Sequence, residues 1–140
     1  MSVRTRRSIN DVLAEAQARL RRLTPAEAAV AMREGATLVD TRDGDVRARD
    51  GSIPGAVHVP LSVLEWRVDP ESGHQDPALA AHENRLILLC RDGYSSTLAA
   101  VRLHELGFTN TTDVIGGFAA WAAAGLPVDG ARDGEPRRSA

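Results

Sequence analysis

The feature that most constrains the fold is the segment "RLILLC" at residues 85–90, which is continuously apolar from Leu86 onward and leads through a short loop into a helical pattern. A strand that is apolar on both faces is buried on both faces, as in a parallel sheet covered by helices. Further short strands are predicted at residues 37–41, 56–59 and 111–117, with helical patterns between them. This alternation predicts an α/β fold with a parallel sheet and helices on both of its faces.

Helix starts are marked by two capping boxes. Ser8 with Asp11, and Thr24 with Glu27, each place an acidic residue three positions after a hydroxyl residue. The first helix is predicted to end near residue 22, and the clearest helical pattern covers residues 96–107. A further short helix is predicted over residues 77–82.

The 140 residues, 43% of them hydrophobic, suit one folded domain. We predict an amphipathic helical extension over residues 1–23, a domain over 24–128, and a polar, disordered tail over 129–140. The net charge of −2 and the lack of a long apolar run predict neither a nucleic-acid partner nor a membrane span. A single cysteine, Cys90, excludes an intramolecular disulfide and suits the reducing cytoplasm.

Positive charge is concentrated at the amino-terminal end. All 17 cationic residues are arginines, and six of them lie in residues 1–22, where the net charge is +4. The arginine-rich helix is expected to expose a solvated face while Leu13 and Leu20 pack on the domain. Two other roles remain open for it, namely formation of a homodimer and binding of an acidic partner.

Cys90 is placed at the carboxyl end of a central strand, where open α/β sheets form their ligand crevices. The amides of residues 91–95 and the start of the next helix can point toward the sulfur and stabilise an anion. Arg91 can add a cation, Gly93 permits a tight turn, and such surroundings lower a thiol's pKa. The competing interpretation is that Cys90 is a small buried hydrophobic residue with no chemical role.

Four motifs carry a resemblance to a known family: "LVDTR", "GSIPGAVHVP", "LLCRDGYSS" and "GGFAAWAAAGLPV". In order and spacing they resemble the rhodanese domain family, the single-domain sulfurtransferases, over residues 24–128. The resemblance implies a five-stranded parallel sheet with flanking helices and no cofactor. It also implies that Cys90 accepts a sulfane sulfur as a persulfide, from thiosulfate or from a small-molecule or protein persulfide, and passes it to cyanide or a thiol.

The resemblance also assigns site residues. The substrate-binding loop would comprise Arg91, Asp92, Gly93, Tyr94, Ser95 and Ser96. Asp40 and Arg42 match the family's Asp-x-Arg element, for which a structural role is expected. Many members carry Arg where Ser95 stands, so we expect weak binding of the thiosulfate dianion here.

Two functions other than sulfur transfer, and a metal site, are disfavoured by particular residues. Cysteine-based phosphatases need an Arg six residues after the cysteine to clamp phosphate, and here that position is Ser96. Rhodanese-like domains that act as non-catalytic interaction modules lack the cysteine, whereas this chain keeps it. No metal site is predicted, because the four histidines show no metal-binding spacing.

Overall fold

The computed structural model describes residues 6–130 of the chain, and a parallel sheet forms its centre. The strands are β1 (Thr37–Asp40), β2 (Val57–His58), β3 (Leu86–Leu89) and β4 (Thr112–Asp113). Their order across the sheet is β2, β1, β3, β4, and every pairing is parallel. Asp40 lies opposite Leu89, so β1 and β3 end at the same edge, directly before Cys90.

The resemblance implied five strands, and the described residues form four. Beside β4, where a further strand would pair, Leu23 makes only an isolated parallel bridge with Val114. The Leu23 N–H donates to the carbonyl of Asp113 at 3.1 Å, and Leu23 accepts from the Ile115 N–H at 2.8 Å. Because Thr24 already caps the next helix, this segment leaves the sheet edge after one paired residue.

Six α-helices surround the sheet in the described part of the chain. They are α1 (Ile9–Ala18), α2 (Pro25–Arg33), α3 (Gly44–Asp50), α4 (Leu64–Val68), α5 (Ser95–Glu105) and α6 (Gly117–Ala123), with a 3₁₀ turn at Leu61–Val63. Both predicted capping boxes are present, at the starts of α1 and α2. The helix predicted over residues 77–82 is wrong, since this stretch forms turns.

Side chains alternate along β3 between two apolar clusters, which confirms the predicted burial of both faces. One cluster joins one face of the sheet to α4 and α5 through Val39, Leu64, Val68, Leu86, Leu88, Ala99, Ala100 and Leu103. The other joins the opposite face to α2 and α6 through Ala28, Ala31, Leu38, Ile87, Leu89, Phe118 and Trp121. Among the described helices, none is long and apolar enough to cross a membrane.

The two ends of the described chain both contact the domain. At the amino-terminal end, Leu20 packs against the cluster that contains α5. At the other end, Asp129 and Ser52 form an antiparallel bridge with hydrogen bonds of 2.7 and 2.8 Å. Most of the predicted disordered tail, residues 131–140, lies outside the described residues.

Candidate active site

The sulfur of Cys90 lies within a loop that turns from β3 into α5. Its side chain is buried, with the residue only 6% exposed. The Sγ atom accepts the backbone N–H of Gly93 at 3.1 Å and that of Ser96 at 3.4 Å, and it lies 3.3 Å from the Ser96 hydroxyl oxygen. We call residues 90–96 the sulfur cradle.

The amides face the sulfur because the carbonyls of the same loop are bound elsewhere. The Cys90 and Arg91 carbonyls accept the N–H groups of Phe118 and Ala119, at 2.8 and 3.0 Å, from the first turn of α6. The Gly93 carbonyl accepts an N–H of the Arg22 guanidinium at 3.0 Å. With these oxygens directed outward, the interior of the sulfur cradle presents mainly N–H donors, which suit an anion.

Two glycines allow the loop and α6 to approach this closely. Gly93 has φ +88°, and a Cβ atom there would lie 2.7 Å from the backbone nitrogen of Gly116. A Cβ atom on Gly117, at φ +60°, would lie 2.4 Å from the carbonyl oxygen of Cys90. Sequence reasoning selected Gly93 but assigned no role to Gly117; the available signal was the pair of glycines directly before a helix.

The surroundings of Cys90 act on its acidity in opposite directions. Burial raises the pKa of the Cys90 thiol, because it disfavours the charged form. Hydrogen-bonding contacts with the side chains of Ser96 and Ser95, and with the amides of Ser96 and Gly93, lower the pKa by more. The net pKa is below the ordinary value, so a larger fraction of Cys90 is thiolate at neutral pH than in a free cysteine.

The predicted loop residues divide into two groups. Gly93, Ser95 and Ser96 surround the sulfur. Arg91 points outward, with its side chain 67% exposed and 3.8 Å from the carboxylate of Asp92. Tyr94 is 63% exposed at the turn into α5. The cation that sequence reasoning placed beside the sulfur therefore lies on the outer surface of the loop.

Asp40 and Arg42 form a buried ion pair at the end of β1. Arg42 donates to both carboxylate oxygens of Asp40, at 3.0 and 2.7 Å, and to the carbonyl of Gly51 at 2.9 Å. Its guanidinium also lies 3.8 Å from the centre of the Phe118 ring. These contacts join β1, the turn after α3 and α6, which suits the structural role expected for the pair.

Sequence reasoning missed a buried carboxylate beside the sulfur cradle. Asp113, at the end of β4, accepts the hydroxyls of Ser96 at 2.8 Å and Thr97 at 2.7 Å. Its carboxylate also accepts a hydrogen bond from the Nε–H group of Arg22 at 2.8 Å. A carboxylate inside a predicted strand was the one available signal, because the partners of Asp113 are distant along the chain.

Comparison with known proteins places this geometry in a family. A model of the rhodanese-like domain matches residues 24–124, which include the whole sulfur cradle. This chain belongs to the rhodanese-like domain family. A similar relative is the thiosulfate sulfurtransferase GlpE of Haemophilus influenzae, which is 36% identical over 107 residues, 76% of this chain and 92% of that protein.

Solved structures agree with this rhodanese-like assignment. A protein of unknown function from Rhodopseudomonas palustris, described as a possible tyrosine phosphatase, has a TM-score of 0.82 at 32% identity and covers 92% of this chain and 99% of its own. The homodimeric polysulfide-sulfur transferase of Wolinella succinogenes has a TM-score of 0.67 at 26% identity, over 85% of each chain.

Proposed function

We propose that this rhodanese-like chain is a sulfurtransferase in which Cys90 carries the transferred sulfur as a persulfide. The observation that carries the proposal is the sulfur cradle, in which two backbone amides donate to a buried sulfur whose pKa is lowered. Relatives of similar length, such as GlpE, are named thiosulfate sulfurtransferases. Both the acidity of the thiol and the anion-binding loop suit a nucleophile that attacks a sulfane sulfur.

With thiosulfate as donor, the first half-reaction needs no proton transfer. The Cys90 thiolate attacks the outer sulfur of thiosulfate and forms a new S–S bond. The S–S bond within thiosulfate breaks, and sulfite leaves with the bonding electron pair. The product is an anionic Cys90 persulfide, whose outer sulfur can accept N–H groups of the cradle as an oxyanion does in an oxyanion hole.

The second half-reaction restores the enzyme. A nucleophile such as cyanide attacks the outer sulfur, the S–S bond to Cys90 breaks, and its electron pair returns to the cysteine as thiolate. Cyanide then leaves as thiocyanate, whereas a thiol acceptor leaves as a persulfide. Since the chain has a single cysteine, the acceptor must come from outside it.

Phosphate-ester hydrolysis is a poorer fit to the same loop. A cysteine-dependent phosphatase holds the transferred phosphoryl group with a bidentate arginine, and the corresponding position here is Ser96. Sulfur transfer therefore suits this loop better than the possible tyrosine phosphatase activity mentioned for the Rhodopseudomonas palustris neighbour.

Mass spectrometry of the intact protein tests the proposal. Thiosulfate or a low-molecular-weight persulfide should add the mass of one sulfur atom, cyanide should remove it, and the Cys90→Ser variant should remain unmodified. If the wild-type protein stays unmodified with every donor while Cys90 still alkylates, sulfur transfer is refuted. A non-catalytic role as an interaction module would then be favoured.

A further inference from the structure

Behind the sulfur cradle lies a largely buried ion pair whose two members are 91 positions apart along the chain. The guanidinium of Arg22 donates to both oxygens of Asp113, at 2.8 and 3.1 Å, and to the carbonyl of Gly93 at 3.0 Å. The side chain of Arg22 is 14% exposed and that of Asp113 is 0% exposed. Arg22 precedes the matched family domain, which begins at residue 24.

This pair is one hydroxyl group away from the reactive sulfur. Asp113 accepts the hydroxyl of Ser96 at 2.8 Å, and the oxygen of the same hydroxyl lies 3.3 Å from the sulfur of Cys90. An uncompensated carboxylate at this distance would oppose formation of the thiolate, because like charges raise the pKa of a neighbouring acid. The guanidinium of Arg22 neutralises that carboxylate at bonding distance.

We propose that Arg22 and Asp113 are positioning residues for Cys90, and that the amino-terminal extension thereby completes the site of the rhodanese-like domain. Arg22 cancels the charge of Asp113 and holds the Gly93 carbonyl away from the sulfur. Asp113 in turn fixes the hydroxyls of Ser96 and Thr97 at the start of α5. This proposal deepens the proposed function, but it concerns the thiol itself and can be tested without any sulfur donor.

The other titratable and charged groups on the neighbouring elements are paired with a charged group, hydrogen-bonded to the backbone or exposed. They are the pair Arg91 and Asp92 in the loop, exposed Tyr94, the cluster of Asp40, Arg42 and Arg47 near the end of β1, Asp50 at the end of α3, and His58 at the end of β2. Unlike these groups, Arg22 and Asp113 form a charged pair that hydrogen-bonds to residues of the sulfur cradle from outside the loop. They are therefore the pair to vary.

The test is the pH dependence of Cys90 alkylation by iodoacetamide in the full-length protein. Arg22→Met leaves the Asp113 carboxylate unbalanced and should raise the thiol pKa by about one unit, which slows alkylation about ten-fold on the acid side of the inflection. Asp113→Asn removes the opposing charge and should lower the pKa. Combining the two substitutions should return the pKa close to the wild-type value.

The opposite directions expected for the Cys90 pKa in the two single variants distinguish this proposal from a purely structural role of the ion pair. If the pair only held the loop in shape, breaking it from either side would loosen the cradle and move the pKa in the same direction. Equal directions for the two single variants, or no shift in either, would overturn the proposal. Asp113→Asn is nearly isosteric, so a folded variant with a lowered pKa supports the proposal even if Arg22→Met fails to fold.

Two further variants serve as controls. Arg22→Lys keeps the charge but cannot bind both the carboxylate and the Gly93 carbonyl in the same geometry, so its pKa should lie between those of the wild type and Arg22→Met. Arg21→Met removes the same charge from an exposed neighbouring position and should leave the alkylation profile unchanged. Because alkylation needs no sulfur donor, the result stands even if the persulfide does not form.

Discussion

At the residue scale, we expect Ser95 to influence what the rim of the sulfur cradle can bind. It is half-buried at the first position of α5, directly beside exposed Tyr94, and its hydroxyl helps to lower the pKa of Cys90. The nearest loop cation, Arg91, is paired with Asp92 on the outer surface. A dianionic donor therefore meets amides and hydroxyls at this rim, with little net positive charge.

The substitution Ser95→Arg should strengthen binding of thiosulfate. A charge-assisted hydrogen bond contributes about 1–2 kcal/mol, so KM for thiosulfate should fall about ten-fold while kcat changes less, because the new contact acts alike on bound donor and transition state. Ser95→Gln provides a neutral control of similar reach and should not lower KM. An unchanged KM for Ser95→Arg in steady-state assays with cyanide would contradict the placement of Ser95 at the donor rim.

Sequence reasoning found the residues of the site that are close together along the chain and missed the partners that are far apart. Cys90 and Gly93 stand in one short segment, whose strand, turn and helix pattern is local. Arg22 and Asp113 are 91 positions apart, and only the folded sheet brings them together. The residue type of Arg22 gave no indication either, since the first 22 residues contain five other arginines.

At the element scale, the first turn of α6 supports the sulfur cradle through backbone hydrogen bonds. Its first N–H groups, which have no partner within a helix, bind the carbonyls of Cys90 and Arg91. The loop and α6 thus satisfy each other's backbone hydrogen-bonding groups, because the loop supplies the acceptors that the start of the helix lacks. The geometry requires backbone to approach backbone, and therefore requires glycine at position 117.

Gly117→Ala should destabilise the protein and disturb the cradle together. A methyl group there would lie 2.4 Å from the Cys90 carbonyl oxygen, in addition to the strain of a positive φ. Gly125→Ala is the matched control, because Gly125 also has a positive φ, +77°, but has nothing within 4 Å of the added atom. In urea unfolding, Gly117→Ala should cost about 1–3 kcal/mol more than Gly125→Ala. Equal losses would mean that the close approach is unimportant.

Elements with apolar periodicity were predictable, and elements without it were not. The buried strand β3 and the amphipathic helix α5 were both found, because burial on known faces leaves a pattern. Helix α3 is built from "GDVRARD", has no buried residue, and so left no pattern to detect. The helix predicted at residues 77–82 is wrong for the opposite reason. Its alanines and Leu79 produce a pattern that suits a helix, but the chain there forms turns.

At the scale of the whole molecule, the acidity of one thiol is linked to folding stability. The pKa of Cys90 is lower in the folded state than the ordinary value, which is about 8.5 for an unfolded chain. Ionisation therefore favours the folded state. This contribution is fully present above the unfolded pKa and is lost as the pH falls through the folded pKa.

Comparison of the wild type with Cys90→Ala tests this linkage. The difference between their free energies of unfolding should shift in favour of the wild type as the pH rises through the folded pKa, and should level off above about 9. The remaining ionisable groups are common to both proteins, so their effects largely cancel in the difference. A trend in the opposite direction in urea titrations would mean that burial outweighs the hydrogen bonds and that the folded pKa is raised.

The architecture as a whole was predictable from the order of strands, helices and motifs, apart from the strand count. The parallel sheet with helices on both faces followed from "RLILLC" and from the alternation around it. The fifth strand implied by the resemblance is reduced to the bridge of Leu23 with Val114. Whether a segment pairs over one residue or three depends on where the next helix begins, and here Thr24 starts that helix at once.

If Cys90 carries the proposed persulfide, burial of its sulfur would also determine which of the two adjacent sulfurs can react. A persulfide extends the side chain by one S–S bond of about 2 Å, so its outer sulfur lies nearer to solvent than the covered inner one. Attack on the inner sulfur would join the acceptor to the protein and strand it as a mixed disulfide. By shielding the inner sulfur, the fold would direct the acceptor to the outer sulfur and leave Cys90 free for the next cycle.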